Sequence, residues 1–189
     1  PNEDSISYGK GLERPVYFCT GKPQGIFKYK NRADGIASTA GKYASAFALG
    51  AEIFEKYFPE YSSILRQKSI EAYEYGKQNP GVCQTASCLS PYFYEEDNWA
   101  DDMELAASVL YSSSQKESYL NDALLFGKQE SVTPWMGADT ANHYQWYPFI
   151  NAGHYELANQ STGKQRDTLI GYYKQGISKV WEKAKQNAF

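Results

Sequence analysis

YEEDNWADDMELAASVLY, residues 94–111, is the stretch on which the fold turns. It opens acidic and aromatic and continues as an amphipathic helix. Trp99, Met103, Ala106 and Leu110 recur at spacings of four, three and four, which puts them on one helical face. Leu105 and Val109 widen that face into a broad apolar stripe. Asp97 or Asn98 is suited to open the helix, since a short polar side chain satisfies amides that the first turn leaves free. Five carboxylates, Glu95, Glu96, Asp97, Asp101 and Asp102, crowd the same end. The positive pole of the aligned peptide dipoles favours negative charge there. Asp97, Asp101 and Asp102 therefore read as a structural acidic cluster. Asp101 and Asp102 also make a poor acid/base pair, because adjacent helical positions diverge by about 100 degrees.

Upstream of this helix lie two more. Ser38 or Thr39 opens a small-residue helix in which Ala40, Ala44, Phe47, Ala48 and Ala51 recur at three and four, and Pro59 follows it. A second helix runs over about 61–78 with Ile64, Leu65, Ile70, Ala72 and Tyr73 inward. Asn79-Pro80-Gly81 ends it, because proline cannot continue the amide ladder. Downstream, a fourth helix covers about 116–130, a fifth about 150–159 and a sixth about 164–188, by the same periodicity. The sixth carries Leu169, Tyr172, Tyr173, Ile177, Val180, Trp181 and Ala184. Residues 1–35 are rich in Gly, Pro and charge and form an irregular lead-in, with one short extended candidate over 16–19. Residues 36–189 form the helical segment. The fold class is all-α, six helices in three antiparallel hairpins. Long aromatic loops precede helices one, three and five, and short connections follow them. That asymmetry is the pattern of helical hairpins with function on one rim.

With 189 residues and a formal charge of −3, the chain fits one domain with a sizeable core. No basic stripe is present to neutralise phosphates, so nucleic acid is not an expected partner. No apolar run of about 18 residues exists, so no membrane span is expected. The polar opening PNEDSISYGK is not a signal peptide. Aromatics make up 16%, including 17 tyrosines and 4 tryptophans. Such rings stack on the CH faces of sugars while their polar tips bond to hydroxyls, and they also build ordinary helical cores. Cys19, Cys83 and Cys88 are odd in number, so they do not all pair within the chain. Cys83 and Cys88 flank a four-residue loop and suit a local bridge in an oxidising compartment. They lack the partners of a four-ligand zinc site. No regular calcium loop occurs, and no metal or cofactor is expected.

The loop before the fifth helix holds the candidate binding residues His143, Tyr144, Trp146 and Tyr147. His143 and His154, the only two histidines, have neutral-range pKa values suited to proton transfer. Neither has a serine or cysteine partner at a suggestive spacing, so no hydrolytic triad is read. Arg32, Asp34, Ser38 and Thr39 sit at the mouth of the first helix, with capping by Ser38 or Asp34 as the expected role.

Three segments in order resemble glycoside hydrolase family 9, the endoglucanase family built on a six-hairpin toroid of helices. They are RADGIASTAGKYASAFALGAEIF, then NWADDMELAASVLY with SYLNDA, then WYPFINAGHYELA. The resemblance covers roughly 25–189. It implies that these helices are about half of an (α/α)6 toroid and a middle segment only of the catalytic domain. It implies an enzyme that hydrolyses a β-1,4-linked glucan by inversion. The family's Asp-Ala-Gly-Asp pair and its general-acid glutamate are absent, so catalytic residues are expected outside this chain, which alone is expected to be inactive. The resemblance places Asp101 and Asp102 at the family's equivalent helix start. It raises Trp146 as a residue that stacks on sugar. The expected partners are a polysaccharide or oligosaccharide and the remainder of the catalytic domain, or a second copy through the apolar stripe of the sixth helix. A secreted or periplasmic location is favoured. The alternatives are a non-catalytic carbohydrate-binding or structural helical segment, or another helical-hairpin carbohydrate enzyme such as a glucuronyl hydrolase.

Overall fold

The computed structural model describes residues 20–24, 33–83, 98–132 and 152–186. Within them six helices form: α1 (Ala37–Phe54), α2 (Pro59–Gln78), α3 (Ala100–Ser114), α4 (Glu117–Gln129), α5 (Ala152–Gln160) and α6 (Gly163–Gln186). No strand occurs among the described residues. The extended candidate at 16–19 lies outside them.

Helix α3 is the hub. Ala100, Met103, Glu104, Ala106, Ala107, Ser108, Val109 and Leu110 are all buried, so the helix is enclosed on most of its circumference. It packs against α1, α4 and α5. Helices α1, α3 and α5 thus stand in a row, and α2, α4 and α6 each pair with the helix before them. The result is three hairpins set side by side, part of an (α/α) toroid-like arrangement.

The first hairpin owes its closeness to small residues. Ala37, Ser38, Ala40, Gly41, Ala44, Ser45, Ala48 and Ala51 form the buried side of α1. The facing seam of α2 is Ser62, Leu65, Ser69, Tyr73 and Gly76. Ser62 Oγ donates to the Ala51 carbonyl at 2.7 Å and Ser69 Oγ to the Ala44 carbonyl at 2.8 Å. The buried hydroxyls are therefore satisfied, which removes the penalty of burying them. Ile64, expected inward, is 56% exposed. It is offset by about 100 degrees from Leu65, which the seam uses instead.

The entry to α1 also departs from expectation. The residue before the helix, Ile36, makes no side-chain cap. Asp34 Oδ1 accepts the Val82 N–H at 2.7 Å, and Ser38 Oγ accepts the Cys83 N–H at 2.9 Å. Both side chains tie the lead-in to the segment after α2. The Asp34 and Gly35 amides add bonds to the Val82 carbonyl at 3.0 and 3.1 Å. Amides leaving α2 at the Pro80-Gly81 break need acceptors, and these side chains supply them. Cys83 is disulfide-bonded. Cys19, Cys88 and Arg32 lie outside the described residues.

In the second hairpin, Tyr119, Ala123, Phe126 and Gly127 of α4 face the core. Trp99 packs edge-on against Phe126 with ring centroids 5.8 Å apart. The Tyr73 hydroxyl donates to Asp122 Oδ2 at 2.7 Å, joining α2 to α4. In the third hairpin Leu169 is buried, whereas Ile177 and Trp181 are each 61% exposed. The apolar stripe of α6 is thus covered at its start and bare further along. No helix among the described residues is long and apolar enough to cross a membrane.

Candidate functional site

The N-terminal ends of α1, α3 and α5 and the C-terminal end of α4 meet on one rim. Lys42 near the start of α1 reaches Asp102 at the start of α3, with Nζ and Oδ2 2.6 Å apart. A Cβ at Gly41 would lie 2.7 Å from the Asp102 carbonyl carbon and oxygen, so the two helix starts approach through bare backbone. Asn98 Nδ2 donates to Asp101 Oδ1, and Asn98 Oδ1 accepts the Ala100 N–H, both at 3.0 Å. Asn98 is thus the polar residue that holds the α3 entry. Asp97 lies outside the described residues.

Glu130, just past α4, faces the same acids. Neither of its buried oxygens makes a hydrogen bond. Burial pushes its carboxyl up to about 9, Asp101, Asp102 and Glu104 add repulsion, and the Asn98 side chain offsets part of the rise. A carboxyl so placed is held protonated, because burial disfavours the charged form.

One turn deeper, α3 and α5 share a sealed ion-pair site. Glu104 Oε1 lies 2.7 Å from His154 Nδ1, with the side chains 1% and 0% exposed. His154 Nε2 lies 3.2 Å from the Ser131 carbonyl, across 23 residues of chain. A carbonyl only accepts, so Nε2 carries a hydrogen. One proton then lies between Nδ1 and Oε1, and the pair is neutral as a whole. Burial raises the Glu104 carboxyl, and the His154 bond lowers it in part. Two glycines make room. A Cβ at Gly127 would sit 2.5 Å from Glu104 Oε1, and one at Gly153 2.8 Å from Cδ. Tyr172 and Tyr173 of α6 close the outer side, with ring centroids 5.1 and 6.0 Å from the imidazole.

Of the residues singled out in the sequence, Asp101 and Asp102 are placed at this rim. His143, Tyr144, Trp146 and Tyr147 lie outside the described residues. Glu104 escaped the sequence reading because it sits beside Met103 in a stretch scored as apolar. The signal was there: a helix apolar nearly all round is a buried helix, and its lone interior carboxylate needs a partner. None of the described acids on this rim is arranged as an acid/base pair across water. Asp102 is held by Lys42, Asp101 by Asn98, and Glu104 is sealed from solvent.

A row of helical hairpins with their long connections on one rim defines an (α/α) toroid-type protein. Residues 3–189 match the family model of Glycosyl hydrolase family 9, and the chain belongs to that family. The match begins at residue 3, so it is not confined to a middle segment and takes in the lead-in as well. The lead-in has no helical periodicity by which sequence inspection aligns it.

Among curated relatives, the chain is 28% identical over 109 residues to an endoglucanase of Phaseolus vulgaris, and 30% identical over 88 residues to endoglucanase 23 of Arabidopsis thaliana. Those stretches are 58% and 43% of this chain but only 21% and 17% of the relatives. Among solved structures, the cellulase Cel9M of C. cellulolyticum superposes with a TM-score of 0.57 at 20% identity, covering 77% of this chain and 30% of that one. The endoglucanase of the termite Nasutitermes takasagoensis gives 0.57 at 21% identity, covering 76% of this chain and 33% of that one. At these identities the structural likeness establishes the fold.

Proposed function

We propose that this chain supplies three of the six hairpins of an endoglucanase-type glycoside hydrolase that cleaves a β-1,4-linked glucan with inversion. The observation that carries the reading is the family match over nearly the whole chain, joined to a hairpin row that superposes on two cellulases. The Cel9M structure has also been solved in complex with cellobiose. Inversion needs a general acid and a general base about 6.5–9.5 Å apart with water between base and sugar. The Asp-Ala-Gly-Asp motif of the family is missing from these 189 residues. We assign the base and acid to residues outside them, and sugar stacking to Trp146 with Tyr144, Tyr147 and His143 beside it. A secreted or periplasmic setting suits a polymer substrate and the disulfide at Cys83.

Reducing-end release from carboxymethylcellulose by the 189-residue chain tests the assignment. No turnover is expected, while cellohexaose is expected to bind and to quench tryptophan emission. Turnover that disappears on Asp101→Asn or Asp102→Asn would mean that these acids are catalytic. Absence of both binding and turnover in the chain and in a longer enzyme containing it would remove the glucan.

A further inference from the structure

The sealed Glu104–His154 site joins elements in a way that core packing alone does not require. Ser131 is the last turn of chain before the aromatic loop, and His154 lies in the first turn of α5, which follows that loop. The Nε2 bond therefore ties the loop's entry to its exit. Glu104 supplies the other side of the ring from α3, and Gly127 and Gly153 are bare where its carboxylate passes.

We propose that Glu104 and His154 are positioning residues that fix the base of the 132–153 loop and so set the angle at which Trp146 meets sugar; the sugar arm rests on the function proposed above. A hydrogen bond has a preferred direction, whereas apolar packing of the same volume has little. With a hydrogen on Nε2 and a shared proton on Nδ1, the imidazole plane is fixed by two bonds on opposite sides. The Ser131 carbonyl must then lie on that line. Full burial keeps water from competing for either bond. The site binds no substrate itself, since both side chains are shut away from solvent.

Amide hydrogen exchange across the 189-residue chain, read alongside cellohexaose affinity, tests the latch. Glu104→Leu combined with His154→Phe removes both bonds while filling the space, and paired apolar replacement of a buried ion pair commonly preserves folding. Residues 132–151 are expected to exchange at least about tenfold faster in that variant, with α1 and α2 unchanged, and cellohexaose to bind about tenfold more weakly, as for loss of a polar contact of ordinary strength. Glu104→Gln retains a donor toward Nδ1 and is expected to restore both quantities to within about twofold of the parent, since its amide replaces the shared proton. Unchanged loop exchange in the folded double variant would overturn the proposal. If the double variant does not fold, nitrogen-15 shifts of the parent imidazole decide: a hydrogen-bearing, slowly exchanging Nε2 supports the latch, and a bare Nε2 overturns it. Faster loop exchange in a chain that binds no cellohexaose, before or after substitution, would retain the latch and sink the sugar reading instead.

Discussion

The two sides of α3 solve one packing problem by opposite means. Toward α1, the surfaces are stripped to Ala, Ser and Gly41, and helix meets helix almost through backbone. Toward α5, a full-length glutamate and a histidine occupy the gap, and the room comes from Gly127 and Gly153. The first interface is non-directional and gains from close dispersion contact. The second is directional and carries a risk, since either partner left alone is a buried unpaired group. Proteins keep such risk where orientation matters, and this one lies under the connection to the aromatic loop.

The sharpest way to break the contrast is to remove one partner of the pair. His154→Leu should destabilise the chain by about 3–5 kcal/mol in urea unfolding, because Glu104 is left uncompensated. The loss should deepen as pH rises above the carboxylate range. Burial raises the Glu104 carboxyl, so its folded-state stability is complete below its unfolded pKa and falls away on further increase of pH. The double Glu104→Leu, His154→Phe variant should instead fall within about 1–2 kcal/mol of the parent. Equal losses in the two would show that the pair is not coupled.

On the other side of α3, Gly41→Ala should cost about 1–3 kcal/mol, the usual range for overpacking. Its methyl meets the Asp102 backbone, which has no rotamer to yield. This loss should be flat from pH 5 to 8, unlike that of His154→Leu. A matching pH dependence would mean that the α1 interface is governed by charge after all.

Glu130→Gln should act in the reverse direction and stabilise by about 1–3 kcal/mol near pH 8, the scale for a buried polar group without a partner. With its folded pKa near 9, the glutamate binds a proton that the unfolded chain releases above the ordinary carboxylate range. Stability therefore declines from about pH 4.5 upward in the parent, and the substitution should flatten that slope. Thermal melts at pH 4 should show no gain. The smallest expected effect is Lys42→Ala, at about 0–1 kcal/mol, since Lys42 is half exposed and water screens its pair with Asp102.

What the sequence made legible follows from periodicity. The helices fall where three- and four-residue recurrence and the Pro and Gly breakers put them, as at Pro59 and Pro80. Apolar spacing failed where the buried seam is polar. Ser62 and Ser69 carry no hydrophobic signal, so Ile64 was assigned inward in their place. Asp34 and Ser38 read as caps because local chemistry favours that role. Their actual partners, Val82 and Cys83, are more than 40 residues away, and only the closed hairpin brings them near. The Glu104–His154 site was hidden for the same reason, with its partners 50 residues apart.

The serine seam of the first hairpin has a mechanical consequence. Ser62 engages Ala51 and Ser69 engages Ala44, so two keys seven residues apart fit two slots seven residues apart on the antiparallel helix. A shift of one turn along the axis disengages both together and leaves two buried hydroxyls without acceptors. Re-engaging even one key would take a slide of about two turns, roughly 10 Å. The hairpin therefore resists sliding like a keyed shaft. A push at its rim end, where Lys42 grips Asp102, would reach the opposite end at Phe54 and Pro59 as displacement of the whole unit, with little taken up by shear between the helices.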